Sequence, residues 1–549
     1  MYLSEEQVNV INHTTQPALV LAGPGSGKTT IITQRLLQLT TNYPKAKIIC
    51  LTFSRAAALE MKTRFNALLR STSPAVYFST VHSLAFSVLK RSRKPDETIT
   101  VLDSKGCPHN KYAILQKIYR DINHENLSMS DAEKLIGWIS RSRNNMLGAV
   151  KSDTHVQIKN FEKIKDLFDV YKKENNLIDF DDMVLYALDI LQNSREQRAY
   201  WSSLYDFIQI DEGQDLAPTQ FEIIKLISPH RNIFIVADDD QSIYGFRGSA
   251  PENIINFEKE ADCTRYILSN NFRCAPEIVR LSSNIIKNNR IRFSKEYLSQ
   301  NKTHGKIHML HTKNTYCQAA FIQSDIHKMP QKTFGILYRN NYSSMPLAAI
   351  LIKNNLSFQI SGGSIAPYSE YINLFLIECM KSDHRNCKMP ELYKTVITKD
   401  FAARCVCKKK LYEQDMEPIK IAIDFLYTAF KICESLSEVR SLLIKLTEAY
   451  EHGQYKGNIL PEKEIFLSTV HSAKGLEYDT VYLINVNKDE FPGKSAVSGT
   501  LLEEERRLFY VGITRARQLL YIMFVENYGL SPSEESVFYR EAIAARKEK

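Results

Sequence analysis

The 549-residue chain has no run of eighteen apolar residues, which predicts no membrane-spanning helix. Its first residues, Met1-Tyr2-Leu3-Ser4-Glu5-Glu6-Gln7, lack the basic and apolar regions of a secretory signal, so no signal peptide is expected. The ten cysteines are scattered without the spacing of a disulfide framework, which suits a reducing cytoplasm. Charge of one sign is not in large excess either. A formal net charge of +9 permits a polyanionic partner without requiring one. The C-terminal end shows no carboxylate and lysine cluster of a fused nuclease. What remains is an ordinary soluble composition, 44% hydrophobic and 24% charged, at a length that predicts three or four domains or repeated excursions from one scaffold.

One stretch organises the rest. Pro17-Ala18-Leu19-Val20-Leu21 is a short apolar run, followed by Ala22-Gly23-Pro24-Gly25-Ser26-Gly27-Lys28-Thr29 and a segment with helical spacing that starts at Ile31. Strand, glycine-rich turn and helix is the context of a phosphate-binding loop. Glycines let the backbone N–H groups turn inward, and the helix start adds its positive end. Lys28 then reaches the β- and γ-phosphates, and the Thr29 hydroxyl suits Mg²⁺. The first position of the G-x-x-x-x-G-K-[ST] pattern is Ala22 rather than glycine.

The surrounding chain supplies further candidates. Gln7 lies on a short amphipathic segment ahead of the first strand, and its amide offers the donor and acceptor an adenine edge requires. Ala46 to Phe53 reads as a buried strand whose end carries Phe53, either a core residue or a base-stacking face. His82 sits at the exit of the next strand, where a lone histidine is usually structural. From about Leu84 to Arg198 the pattern is helical: Phe161, Ile164, Leu167, Phe168 and Tyr171 share a face, with Lys159, Lys163, Lys165, Lys172 and Lys173 on solvated faces. Phe207 to Ile210 reads as an alternating strand that ends in Asp211 and Glu212. Asp211 is placed to coordinate Mg²⁺, and Glu212 to accept a proton from the attacking water. A strand from Asn232 to Ala237 then runs into a loop where Gln241, Tyr244, Phe246 and Arg247 are interleaved with glycines. That mixture suits a nucleotide sensor joined to a stacking platform.

In this order the segments resemble the motifs of UvrD/Rep-type superfamily 1A helicases along nearly the whole chain. Leu3 to Gln7 resembles the Q motif, Ala22 to Thr29 motif I, Leu51 to Arg64 motif Ia and Ser79 to Ser83 motif Ib. Asp211 to Asp215 resembles motif II, Ala237 to Gly248 motif III, and Leu268 to Arg273 motif IV. Phe466 to Glu477 resembles motif V, and Glu504 to Arg517 motif VI. The resemblance implies an α/β fold of two RecA-like parallel-sheet lobes of the P-loop NTPase type, with a mainly helical insertion in each. The expected division is 1–88 with 200–272 and 273–375 with 463–549 for the lobes, and 89–199 and 376–462 for the insertions. It implies ATP and Mg²⁺ as cofactors, single-stranded DNA and single/double-strand junctions as partners, no membrane, and 3′ to 5′ movement that unwinds duplex.

Carried over residue by residue, the resemblance gives Lys28, Asp211, Glu212, Gln241, Arg273 and Arg515 to catalysis, the two arginines as fingers on the γ-phosphate, and Thr29 and Asp211 to the metal. Gln7, Ala22, Gly23, Pro24, Gly25, Ser26, Gly27, Lys28, Thr29, Thr30, Phe272 and Glu477 would bind the nucleotide, with Phe272 on adenine and Glu477 on the ribose. Thr52, Phe53, His82, Tyr244, Phe246, Arg247, Thr469 and His471 would grip the strand. Departures from the family pattern are Thr30, where arginine is common, Phe246 for a usual tryptophan, and Ala237 for a usual glycine.

The second insertion is short for the family. Ile419, Ile423, Leu426 and Phe430 step along one helical face in it, and Tyr528 is the candidate for a strand-separating pin. Cys379, His384, Cys387, Cys405 and Cys407 raise a zinc reading, but none of their spacings is a C-x₂-C pair, and a helical domain is the simpler expectation. The compact form also admits a second function, an ATP- or DNA-sensing subunit of a partner effector such as the nuclease of a Gabija-like phage-defence system. A small-molecule P-loop kinase would leave Arg273 and Arg515 unexplained.

Overall fold

The structure is a computed structural model that describes residues 3–14, 16–93, 99–104, 106–127, 129–144, 158–228, 232–381, 389, 416–496, 498–528 and 531–547. The chain divides into two compact units. The first comprises Met1–Asn270 with Ile291–Tyr297, the second Asn271–Arg290 with Leu298–Lys549. The seven-residue excursion Ile291–Tyr297 belongs to the first unit although it lies beyond the boundary at 272 drawn from the motifs. No sequence motif marks it, and buried charges, described below, are what hold it there.

Six parallel strands form the sheet of the first unit: β1 (Ala18–Ala22), β2 (Ile48–Thr52), β3 (Val76–Thr80), β4 (Phe207–Ile210), β5 (Ile233–Ala237) and β6 (Thr264–Leu268), in the order β3-β2-β4-β5-β1-β6. Leu19 and Leu21 enter one core, while Ala18, Val20 and Ala22 enter the other. A strand covered on both faces needs apolar residues at every position, which is why β1 reads as a continuous run. In β4 the expected alternation does not mean solvation. Gln209 is fully buried, and its side-chain Oε1 accepts from the buried Arg35 guanidinium at 3.1 Å.

A helical insertion follows β3. Helices Lys111–Asn123, Met129–Asn144 and Phe161–Glu174 close on a core of Leu115, Leu135, Ile139, Ile164 and Phe168. Leu167, expected on the core face, is instead exposed, because Ile164 and Phe168 already define the inward stripe. Lys172 is a second correction: it is buried rather than solvated, with its ammonium between Asp179 and Asp182. Asp179 also accepts from Lys111 and Arg143, each at 3.1 Å. These cations hold its pKa well below the carboxylate range, although burial alone would raise it.

The second unit is also built on a mainly parallel sheet. Its strands are β7 (Lys306–Asn314), β8 (Thr333–Tyr338), β9 (Phe358–Ser361), β10 (Gln454–Tyr455), β11 (Glu464–Thr469), β12 (Tyr478–Leu483), β13 (Ala516–Tyr528) and β14 (Ser531–Pro532). The order is β7-β13-β12-β8-β11-β9-β10, with β10 and β14 antiparallel to their neighbours β9 and β13. Helices Ala366–Lys381, Met416–Ile432 and Leu436–His452 stand between β9 and β10. Ile419, Leu426 and Phe430 are buried there as their spacing predicts, with Ile423 partly so. Cys379 is buried in the first of these helices, whereas His384, Cys387, Cys405 and Cys407 lie outside the described residues. Tyr528 ends β13 half-buried near Asp424, Glu490, Tyr342 and Tyr368.

Candidate nucleotide and nucleic-acid sites

In the first unit β1 delivers the chain into the turn Gly23–Gly27, and helix Lys28–Asn42 leaves it. Gly25 and Gly27 have φ of 69° and 85°, a region L side chains rarely occupy. The loop is braced internally by the Ser26 hydroxyl, which donates 2.8 Å to the Gly23 carbonyl, and by Lys28 Nζ, 3.2 Å from the Ala22 carbonyl. Gln7 is buried against the loop. Its Nε2 donates to the Ser26 carbonyl at 3.0 Å, and its Oε1 accepts the Ser4 N–H in a capping box at 3.1 Å. The residue expected to read adenine thus packs on the glycine-rich loop, and a Cβ on Gly27 would meet its Nε2 at 2.8 Å.

Asp211 and Glu212 follow β4 at the same carboxyl edge of the sheet. Glu212 adopts φ 54°, a left-handed conformation that costs a non-glycine residue about 1–3 kcal/mol and that surrounding contacts maintain. Gln214 supplies them. This fully buried amide donates to the Glu212 carboxylate and accepts the Asp238 N–H at 2.9 Å, linking the end of β4 to the end of β5. The Gln241 amide donates to the Asp238 carboxylate at 2.6 Å. Asp238, Asp239 and Asp240 are all fully buried, close enough together to resemble a metal cluster. Their cation is Lys295, itself buried, which bonds Asp238 at 2.7 Å, approaches Asp240 at 3.2 Å and also pairs with Asp239. Burial alone would lower the Lys295 pKa, but the three carboxylates together raise it well above its ordinary value. Arg292 adds a bidentate contact to Asp240, both bonds at 2.9 Å.

A second constellation lies on the same unit. Phe53 and Tyr244 stack with ring centroids 4.7 Å apart and planes 15° apart, and Phe246 meets Tyr244 edge-on at 5.9 Å. Phe53 is thereby placed on an aromatic platform rather than in a core cluster. The Arg247 guanidinium lies 5.5–5.7 Å from all three ring centroids. Phe246 is 44% exposed and rests against Gly137 of the helical insertion. His82 makes a T-shaped contact with Phe180, a ring 52% exposed. Burial lowers the His82 pKa, with Asp181 opposing the shift and Arg247 adding to it. Thr52 is buried with its hydroxyl on the Ser54 carbonyl.

The second unit carries the remaining candidates. Phe272 is 48% exposed. Arg273 Nε is ion-paired with Glu477, which also binds Arg517. Burial would raise the Glu477 pKa, but the two arginines bring it below its ordinary value. Arg515 is buried, donating to the Val511 and Leu476 carbonyls at 3.0 and 3.2 Å. Ser468-Thr469-Val470-His471-Ser472 repeats, residue for residue, Ser79-Thr80-Val81-His82-Ser83 of the first unit. In both copies the threonine ends a strand and its hydroxyl accepts the serine N–H, at 3.2 and 3.1 Å. Both histidines therefore leave the carboxyl end of a strand in the same local turn.

Comparison with known proteins decides the family. The model of the UvrD/REP helicase N-terminal domain matches residues 3–262, and that of the UvrD-like helicase C-terminal domain matches 266–369 and 393–527. The chain belongs to the UvrD/Rep helicase family. It is 27% identical to the ATP-dependent DNA helicase Rep of Buchnera aphidicola subsp. Schizaphis graminum, covering 96% of this chain and 94% of that one. The ATP-dependent DNA helicases PcrA of Leuconostoc citreum and Staphylococcus aureus are each 25% identical over 95% of this chain and 81% and 83% of theirs. The Rep alignment runs over 622 positions against 549 residues here, so that UvrD/Rep relative carries residues this chain lacks.

Three side chains of this UvrD/Rep chain were not singled out from the sequence. Gln214 and Arg517 lie inside the segments matched to motifs II and VI without a role of their own, and Phe180 lies without one in the helical stretch from Leu84 to Arg198. The signal for Phe180 was an aromatic at a helix start immediately after the capping residue Asp179, where a side chain has little core to enter.

Proposed function

We propose that this chain is an ATP-driven motor that moves 3′ to 5′ on single-stranded DNA and separates duplex. The observation that carries the reading is that the phosphate loop, the acidic pair and an exposed aromatic platform belong to one unit and follow the carboxyl ends of strands in one sheet. Lys28 holds the β- and γ-phosphates, and Glu212, aimed by Gln214, takes the proton of the attacking water. The Thr29 hydroxyl and Asp211 carboxylate are hard oxygen donors that fit Mg²⁺, which when bound neutralises phosphate charge. Gln241, oriented by Asp238, senses the γ-phosphate.

Arg273 and Arg515 of the second unit act as fingers on the same nucleotide, with Phe272 on its base. Arg273 first exchanges Glu477 for phosphate, and Arg515 first releases its two carbonyls, so engagement is conditional rather than permanent. Bases stack on Phe53, Tyr244, Phe246 and Phe180 beside Arg247 and His82, and the matching turn at Thr469 and His471 gives the second unit its own hold.

The test combines hydrolysis with strand displacement on duplexes tailed at the 3′ or 5′ end. Wild type is expected to hydrolyse ATP faster with DNA and to open only the 3′-tailed substrate. Lys28→Ala should abolish both activities, and Glu212→Gln should lower hydrolysis by about 10²–10⁴. Hydrolysis at the wild-type rate in either variant contradicts the site. DNA-stimulated hydrolysis without displacement contradicts the unwinding and favours a sensing subunit.

A further inference from the structure

The strap Ile291–Tyr297 is bound to the first unit by unusually buried chemistry. Lys295 sits among three carboxylates, Arg292 is bidentate on Asp240, and the Phe293 N–H donates to Asp239 at 2.8 Å. These contacts fix the turn that carries Asp238 and Gln241. Two residues beyond Lys295, the hydroxyl-bearing edge of the Tyr297 ring occupies the space in which any Cβ at Gly23 would lie. The strap therefore touches both the phosphate loop and the turn after β5. Tyr297 is half-buried as a residue, but its hydroxyl oxygen is shut away from solvent and has no hydrogen-bond partner among the described residues. Burial, reinforced by Asp238, raises its pKa well above the ordinary tyrosine value, so the hydroxyl keeps its proton.

A buried hydroxyl without a partner is unfavourable, and phenylalanine would supply the same ring without that cost. The hydroxyl thus needs a partner in another state of the site, and the ring that carries it lies against Gly23 of the loop that the proposed function assigns to nucleotide binding. We propose that Tyr297 is a positioning residue for the phosphate loop: its ring backs Gly23, and its hydroxyl donates a hydrogen bond to the loop once ATP is bound. This rests on the reading of Gly23–Thr29 as an ATP site.

Tyr297→Phe in the full chain is the decisive variant, because the ring and its packing are retained. The nucleotide-free Tm is expected to stay level or rise, while the KM and Kd for ATP rise about three- to tenfold, the worth of one neutral hydrogen bond. The kcat should remain within about twofold. Tyr297→Ala, which also removes the ring, should raise KM further. A Tyr297→Phe protein with raised or equal Tm and wild-type affinity for ATP overturns the proposal, as does an equal loss in kcat and unchanged KM. Failure of the underlying reading looks different: the wild-type protein would bind no ATP, or Lys28→Ala would bind it unchanged.

Discussion

Glu477 and Lys172 show how far a side chain's surroundings can change its meaning. The resemblance gives Glu477 to a ribose, and its carboxylate is ion-paired with Arg273 and Arg517. Its pKa is depressed, so its contribution to stability is present above its unfolded value near 4.5 and is lost as pH falls through the folded one. Wild type should therefore melt above Glu477→Gln at neutral pH, and thermal melts on acidification should show that gap closing below about pH 4.5. A gap that persists or widens in acid contradicts the pairing. Lys172 was illegible for a related reason. Its spacing along helix Phe161–Glu174 says only that it neighbours a core position, while Asp179 and Asp182, which bury it, come from the start of the following helix. Lys28, Asp211 and Glu212 were legible as candidates because the chemistry they suggest is local to a short motif. The partners that aim them, such as Gln214, are fixed by how strands lie side by side.

Strand ends and turns carry the candidate recognition residues, and here the sequence was informative about place but not about contact. Apolar runs at Leu19, Ile49 and Ile235 locate β1, β2 and β5 because each is buried on both faces. The turn Gly245–Arg247 was legible as an aromatic and glycine mixture, but the stacking of Tyr244 on Phe53 joins residues far apart in the chain and depends on the order of strands in the sheet. Phe246 is the exposed edge of that platform. Phe246→Ala should weaken single-stranded DNA binding by about 1–3 kcal/mol, roughly 5- to 150-fold in Kd, with little dependence on base sequence. Phe246→Trp, which enlarges the stacking face, should tighten it. Fluorescence titration at fixed salt measures both, and equal affinity for all three proteins contradicts the platform.

For the molecule as a whole, the two sheets and their helical insertions followed from ordered motifs and apolar periodicity, whereas the strap Ile291–Tyr297 did not. Its hold comes from Arg292 and Lys295 meeting acids more than fifty positions earlier, a pairing no local pattern announces. The same limit applies to the arginines of the second unit. Their identity is plain in the sequence, but their present partners, a carboxylate and backbone carbonyls, are not. The central claim is that hydrolysis draws on groups from both units. Single-turnover hydrolysis by Arg273→Ala, with enzyme in excess over ATP and DNA saturating, tests it most directly. The account predicts a fall of about 10³–10⁵ in rate with ATP affinity little changed. A variant that cleaves ATP as fast as wild type would show that the first unit works alone.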